Sequence, residues 1–181
     1  GGTVAMRGIS ADHLGAVLSV FEQSGCRLST RKSCITLATN GRLCNLPQID
    51  TAPYPGFPTD AQPLLMSALA SGEGETKFVE NMFDSRYHHV EELCRMGASI
   101  ELRHREAVIS GRRWLRGAKV EGRDLRGTAA LVVAALGARG ISQVYGLDHL
   151  GRGYERLEYD LRSMGAEIRE LKDTSHSVHT G

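Results

Sequence analysis

The chain has 181 residues, of which 41% are apolar and 24% charged, with a formal net charge of +1. This balance suits one compact unit with a sizeable core, and overall charge gives a nucleic-acid partner no support. The longest apolar run, Ala129 to Leu136, is far short of the about 20 residues of a membrane span; no signal peptide or lipidation motif is visible, so a cytoplasmic location is expected.

In chain order, Thr3 to Arg7 reads as a strand. Asp12 to Gln23 follows as a helix, with Leu14, Val17, Leu18 and Phe21 on one face. Arg27 to Thr30 and Ser33 to Ala38 form a hairpin-like pair. A proline-rich loop, Pro53 to Pro58, leads into a helix over Gln62 to Ala70, which Gly72 and Gly74 stop. A strand at Lys77 to Met82, a helix at His88 to Met96 and strands at Ser99 to Arg103, Ala107 to Ser110 and Ala118 to Glu121 come next. Thr128 to Leu136 is apolar nearly all round, the composition of a helix covered on most sides, and Gly137 and Gly140 end it. Ile141 to Leu147 is a short strand, Tyr154 to Met164 a helix capped by Gly165, and Ala166 to Leu171 a returning strand; 172–181 reads as a polar tail.

Three segments share one ending, a helical period that runs into Gly and then a strand: Leu14 to Leu28, Val90 to Ile100 and Leu157 to Ile168. Gly74 and Arg86 fall 66 residues before Gly140 and Arg152, and Met96-Gly97 falls 68 before Met164-Gly165. The pattern is an internal repeat of a β-α-β-α-β-β unit, too long for common helical solenoids. It predicts a domain over 1–171 with repeats near 1–58, 59–123 and 124–171, the first lacking its first helix. Starting mid-unit is what an excised part of a longer protein would do.

Cys26, Cys34, Cys44 and Cys94 lack metal-site spacing and read as free buried thiols, so neither a metal nor a nucleophile is assigned to them. Arg103, Arg105, Arg112, Arg113, Arg116 and Lys119 are interleaved with Glu101, Glu106 and Glu121, which reads as a solvated strand face. Trp114 reads as a packing residue, and His88 and His89 as cap or surface residues.

Polar residues gather at the junctions of the repeat. The stiff proline loop ends on Thr59-Asp60, where either residue could cap the next helix or Asp60 could be held as a general base. Asp124 could pair with Arg123 or Arg126 or cap its helix, and Arg126 lies by a helix N-terminus that favours anions. Arg152 sits between Gly151 and Gly153, free to fork a carboxylate or phosphate, and Arg86 is its counterpart by repeat. The repeat should bring these arginines to one rim, where an anionic ligand would bind.

The same junctions resemble the enolpyruvyl transferase family. The matching stretches are Phe57-Pro58-Thr59-Asp60, Phe83-Asp84-Ser85-Arg86, His89-Val90-Glu91-Glu92-Leu93, Arg95-Met96-Gly97-Ala98, Asp124-Leu125-Arg126 and Arg152-Gly153-Tyr154-Glu155-Arg156, in the family's order over nearly the whole chain. The resemblance implies a mixed α/β fold, an inside-out α/β barrel of three β-α-β-α-β-β repeats with the helices packed inward. It also implies that this is the C-terminal one of two domains, which close on UDP-N-acetylglucosamine and phosphoenolpyruvate. The missing N-terminal domain would carry the reactive Cys, so the isolated chain is expected to be inactive.

Position by position, the resemblance implies that Asp60 takes the proton of the sugar 3-hydroxyl and that Asp124 lies next to the reacting centre. Arg126 and Arg152 would approach the phosphate and carboxylate of phosphoenolpyruvate, Arg86 would lie near the nucleotide cleft, and Met82 would touch the uridine side. Ser85 stands where Asn is usual, and Gly151 where Asp is usual. The implied activity is transfer of the enolpyruvyl group in the first committed step of peptidoglycan precursor synthesis, with no cofactor. A sibling acting on shikimate 3-phosphate and a non-catalytic module derived from the family are the alternatives.

Overall fold

Residues 1–171 are described by the computed structural model; the expected polar tail lies outside them. The chain opens with β1 (Gly2–Arg7), α1 (Gly15–Gln23), β2 (Arg27–Arg31) and β3 (Cys34–Thr39), whose strands form an antiparallel sheet in the order β1-β3-β2. The second stretch runs through β4 (Gln48–Asp50), α2 (Gln62–Leu69), β5 (Glu75–Val79), α3 (Val90–Arg95), β6 (Ser99–Arg103) and β7 (Glu106–Ser110). Its sheet has the order β4-β5-β7-β6, with β4 and β5 parallel and the other pairs antiparallel. The third comprises β8 (Lys119–Glu121), α4 (Leu125–Gly137), β9 (Gln143–Tyr145) and α5 (Leu157–Ser163), with β8 and β9 parallel.

A parallel pair needs a crossover, and here α2 and α4 supply it. The ends of β4 and β8 therefore feed the starts of α2 and α4, and the loops after β5 and β9 emerge at the same end of their pairs. Packing of the two crossovers fixes how the units sit. Leu65, Met66 and Leu69 of α2 and Leu131 and Ala134 of α4 share one buried cluster with Phe78, Leu93, Met96, Ile109, Leu115 and Val120. Burying a side chain of this size contributes about 1.5–3 kcal/mol, which is why the helices are apolar on more than one face. Gly122 lets the exit of β8 approach α4, since a Cβ there would lie 2.0 Å from the Thr128 hydroxyl oxygen.

Several expected elements are shorter than their sequence pattern. The helix expected from Asp12 is interrupted at Leu14: Ala11–His13 is a 3-10 turn whose start Ser10 caps, and α1 begins only at Gly15. The strand expected over Ile141 to Leu147 shrinks to β9, because its partner β8 offers only three residues. The helix expected from Tyr154 starts at Leu157, after a 3-10 stretch over Leu147–Arg152. Ala166 to Leu171 is not a strand, having no ladder partner among the described residues. The sheets have three, four and two strands, and no hydrogen-bonded closure joins them among those residues.

Three side-chain readings are corrected as well. Only Cys26 is a buried thiol; Cys34 is half-buried, and Cys44 and Cys94 are exposed. Trp114 is 47% exposed, because its ring face is covered by the Arg139 guanidinium, 3.9 Å from the ring centroid, rather than by apolar neighbours. His89 belongs to the interior at 2% exposure, at the N-cap of α3.

Neither His89 ring nitrogen meets a partner of normal hydrogen-bond geometry. Burial lowers its pKa to about 4, against the opposing pull of the Asp124 charge and a backbone contact at Arg86. A folded-state pKa below the ordinary value of about 6.5 means that folding favours the neutral ring. Stability is therefore full above that value and is lost as pH falls through the window down to about 4. We expect the urea midpoint of the chain to drop more steeply across this window than that of His89→Leu; parallel curves would exclude His89 as the source.

Asp124 is the N-cap of α4, at φ −153° and ψ 168°, and its side chain accepts from the amides of Arg126 and Gly127. Asp124→Ala should lower stability by about 0.5–2 kcal/mol in the same titration, and an unchanged midpoint would show that the cap contributes nothing.

Candidate active site

The loops at the carboxyl ends of β4, β5, β8 and β9 enclose an open hollow of about 360 Å³, lined by Asp60, Arg86, Asp124, Leu125, Arg126 and Arg152. The outer ends of parallel strands are where crossover loops leave space for a ligand. Of the residues singled out in the sequence, five line this hollow. Met82 does not: it sits in the loop after β5, 41% exposed, and takes part through its backbone amide.

Asp60 does not cap α2. The N-cap position falls on Ala61, which has helical backbone angles and no side-chain cap, so the carboxylate is left to project into the hollow. Its Oδ1 accepts from Arg86 Nη2 at 2.9 Å, and its Oδ2 accepts from Arg126 Nη2 at 3.0 Å. The Asp60 side chain is 53% exposed, while Arg86 and Arg126 are 15% and 28% exposed. The two cations are thus the fixed parts and the carboxylate is the accessible one. Two guanidinium groups from separate units hold it in a single orientation.

Both arginines are themselves held. The Arg86 guanidinium carbon lies 4.8 Å from the centre of the Phe83 ring, and its Nε donates to Thr59 Oγ1 at 3.0 Å. Arg126 Nη1 donates to the Tyr154 hydroxyl at 3.2 Å, with that ring centre 5.7 Å away. Burial works against the Arg126 charge, but hydrogen bonds to Tyr154 and Asp60 and the Asp60 charge outweigh it and hold the guanidinium pKa above its ordinary value.

Asp124, open in the sequence between ion pairing and capping, caps. Its Oδ1 takes the amides of Arg126 at 3.0 Å and Gly127 at 2.8 Å. A Cβ at Gly127 would fall 2.8 Å from Oδ2, so glycine there leaves that second oxygen undisturbed toward the hollow. Arg152 is exposed, with Nη2 3.0 Å from His149 Nδ1. A Cβ at Gly153 would approach the Leu125 side chain to 2.9 Å, whereas Gly151 has open space around it. A side chain at 153 would therefore make Leu125 shift, whereas one at 151 would meet nothing.

Residues that sequence reasoning passed over complete the arrangement: Thr51, Tyr154 as an arginine partner, and Glu80. Glu80 follows Thr76 and Phe78 on the inward parity of β5, and all three are fully buried. A Glu in register with Phe78 along an expected strand was the available signal. Among the described residues no cluster of His, Cys, Asp and Glu could hold a metal ion, and none of the four cysteines lines the hollow. A smaller cavity of about 100 Å³ between the start of α1 and the proline loop contains no arginine.

The chain is similar to known proteins. The family described as EPSP synthase (3-phosphoshikimate 1-carboxyvinyltransferase) matches residues 1–161. A UDP-N-acetylglucosamine 1-carboxyvinyltransferase 2 of Caldanaerobacter subterraneus subsp. tengcongensis is 46% identical over 87% of this chain and 38% of its own length. The UDP-N-acetylglucosamine 1-carboxyvinyltransferase of Novosphingobium aromaticivorans is 44% identical over 94% of this chain and 40% of its own. Among solved structures, the enolpyruvyl transferase NikO from Streptomyces tendae superposes with a TM-score of 0.82 at 27% identity, over 93% of this chain and 40% of that one. EPSP synthase from Acinetobacter baumannii shares the fold, with a TM-score of 0.67 at 18% identity over 94% of this chain and 40% of that one. The chain spans about two fifths of the length of these relatives. It belongs to the EPSP synthase family of enolpyruvyl transferases.

Proposed function

We propose that this chain is the C-terminal part of a two-domain enzyme that transfers the enolpyruvyl group of phosphoenolpyruvate to the 3-hydroxyl of UDP-N-acetylglucosamine, with the hollow as one wall of its cleft. The observation that carries this reading is the exposed Asp60 carboxylate held between Arg86 and Arg126, with Arg152 on the same rim. Relatives of 44–46% identity bear the name of that activity. The inward packing of helices in a threefold inside-out array, a cytoplasmic location and a role in peptidoglycan precursor synthesis belong to the same proposal.

In this reading, Asp60 removes the proton of the sugar hydroxyl, whose oxygen bonds to the central carbon of phosphoenolpyruvate while the methylene gains a proton. Inorganic phosphate then leaves and a methyl proton is lost, which restores the double bond. Negative charge concentrates on the tetrahedral intermediate and its leaving group. Fixed guanidinium groups that need no reorganisation stabilise it there. Arg126 and Arg152 face the phosphate and carboxylate, Arg86 and Met82 lie toward the nucleotide, and Asp124 Oδ2 stands next to the reacting centre. The remaining part of the enzyme supplies a reactive Cys and closes over the site, excluding water.

A second reading, transfer to shikimate 3-phosphate, is favoured only by the description of the family that matches. The chain alone should release no phosphate from phosphoenolpyruvate. Joined to the preceding part of the Caldanaerobacter relative, it should do so only when UDP-N-acetylglucosamine is added, and Asp60→Ala should cut the rate by about 10²–10⁴-fold, the usual worth of a general base. Dependence on shikimate 3-phosphate instead would select the sibling activity, and an undiminished Asp60→Ala rate would remove Asp60 from the chemistry.

A further inference from the structure

Glu80 has a carboxylate that is fully buried, and none of the ion pairs among the described residues includes it. A charge in such a place costs several kcal/mol unless hydrogen bonds replace its water. Here four neutral donors do so. Oε1 accepts from Thr51 Oγ1 at 3.0 Å and from the amides of Met82 at 2.9 Å and Phe83 at 3.1 Å, and Oε2 accepts from Thr59 Oγ1 at 3.0 Å. The donors come from three separate pieces of chain: the end of β4, the proline loop and the loop that leads to Arg86.

The direction of these bonds matters more than their number. A threonine hydroxyl has one hydrogen, and the ionised carboxylate can only accept. Thr59 therefore gives its hydrogen to Glu80 and turns a lone pair to Arg86 Nε, 3.0 Å away. Arg86 in turn reaches Asp60 Oδ1 at 2.9 Å. Were the Thr59 hydrogen free to rotate toward Arg86, two donors would face each other and the arginine would lose its anchor.

We infer that Glu80 is a positioning residue for this site: through the Thr59 hydroxyl, whose polarity it sets, it fixes Arg86 and so the orientation of the Asp60 carboxylate. It is not among the residues that line the hollow. Its consequence for catalysis rests on the function proposed above, but its structural part does not.

The test has two arms. In the first, the Arg86 Nε–H resonance of the chain itself is followed by nitrogen-15 NMR and identified by its loss in Arg86→Lys. It should be protected from exchange in the parent and in Thr59→Ser, exposed in Thr59→Val, and displaced in Glu80→Gln, whose amide donates where the carboxylate accepted. In the second, the same variants are assayed in the fusion with the Caldanaerobacter part. Thr59→Val should lower kcat by about 10- to 100-fold, the range for a hydrogen bond to a charged group, with KM for phosphoenolpyruvate changed much less. Thr59→Ser should stay within about twofold of the parent. Thr59 is only half-buried, so this pair tests the link even where Glu80→Gln fails to fold. An Arg86 signal unmoved in Thr59→Val, or equal losses in the Val and Ser variants, overturns the inference. A signal that moves as described in the chain, together with a fusion without transferase activity, supports the positioning role and rejects the function instead.

Discussion

One carboxylate is shared between guanidinium groups that belong to successive β-α-β units. Asp60 enters at the start of α2, Arg86 comes from the loop after β5, and Arg126 comes from the first turn of α4, 66 residues further along the chain. Such a bridge forms only if the two units present the same end in the same direction. The close contact of α2 with α4 in one core secures this, because sliding either crossover would open gaps among side chains packed at solid density. The apolar interior thus sets the position of the polar rim, and the rim pair holds the units together at their wet end. An exposed ion pair contributes little to stability, so the value of the bridge lies in orientation.

The rim's charge is unevenly spent. Arg86 and Arg126 both face Asp60, whereas Arg152 meets only a histidine ring nitrogen among the described residues. Asp60 and Asp124 are set against Arg86, Arg126 and Arg152 in the lining, which leaves one positive charge in excess. In the proposed reaction this suits a site that both orients a base and receives an anion. Arg126 can take part in both, since Tyr154 keeps its plane fixed while Asp60 occupies a single nitrogen.

Much of this could be read from the sequence, because the repeat carries the information. Equal spacing of Gly74 to Gly140 and Arg86 to Arg152 marks the two junctions as counterparts, and the nearly all-apolar run from Thr128 marks a buried helix, as α4 is. What spacing could not settle was which of two local roles a residue takes. Asp60 and Asp124 both precede a helix, yet the N-cap of α2 falls on Ala61, with helical angles, whereas Asp124 is itself the N-cap of α4 and has the extended angles that let its side chain turn back to the amides. The strands of the third unit read as longer than they are because strand propensity has no effect without a partner, and β8 supplies only a short one. His89 was misplaced because two adjacent histidines at a helix start say nothing about which one turns inward.

Glu80 shows the deeper limit. Its inward parity, one residue past the end of β5, was legible, but parity alone predicts an uncompensated buried charge. The compensation comes from hydroxyls 29 and 21 residues away in sequence and from two amides of the following loop. Of the two hydroxyls, Thr59 had an ordinary reading as a cap, and Thr51 carried no signal of its own. Only their convergence turns an unfavourable residue into a fixed reference point, because a carboxylate that lacks water must be fully satisfied and so admits few arrangements of its neighbours. Burying the acceptor thereby makes the exposed end of the chain of bonds, Asp60, more precise in direction than its own half-exposed surroundings could.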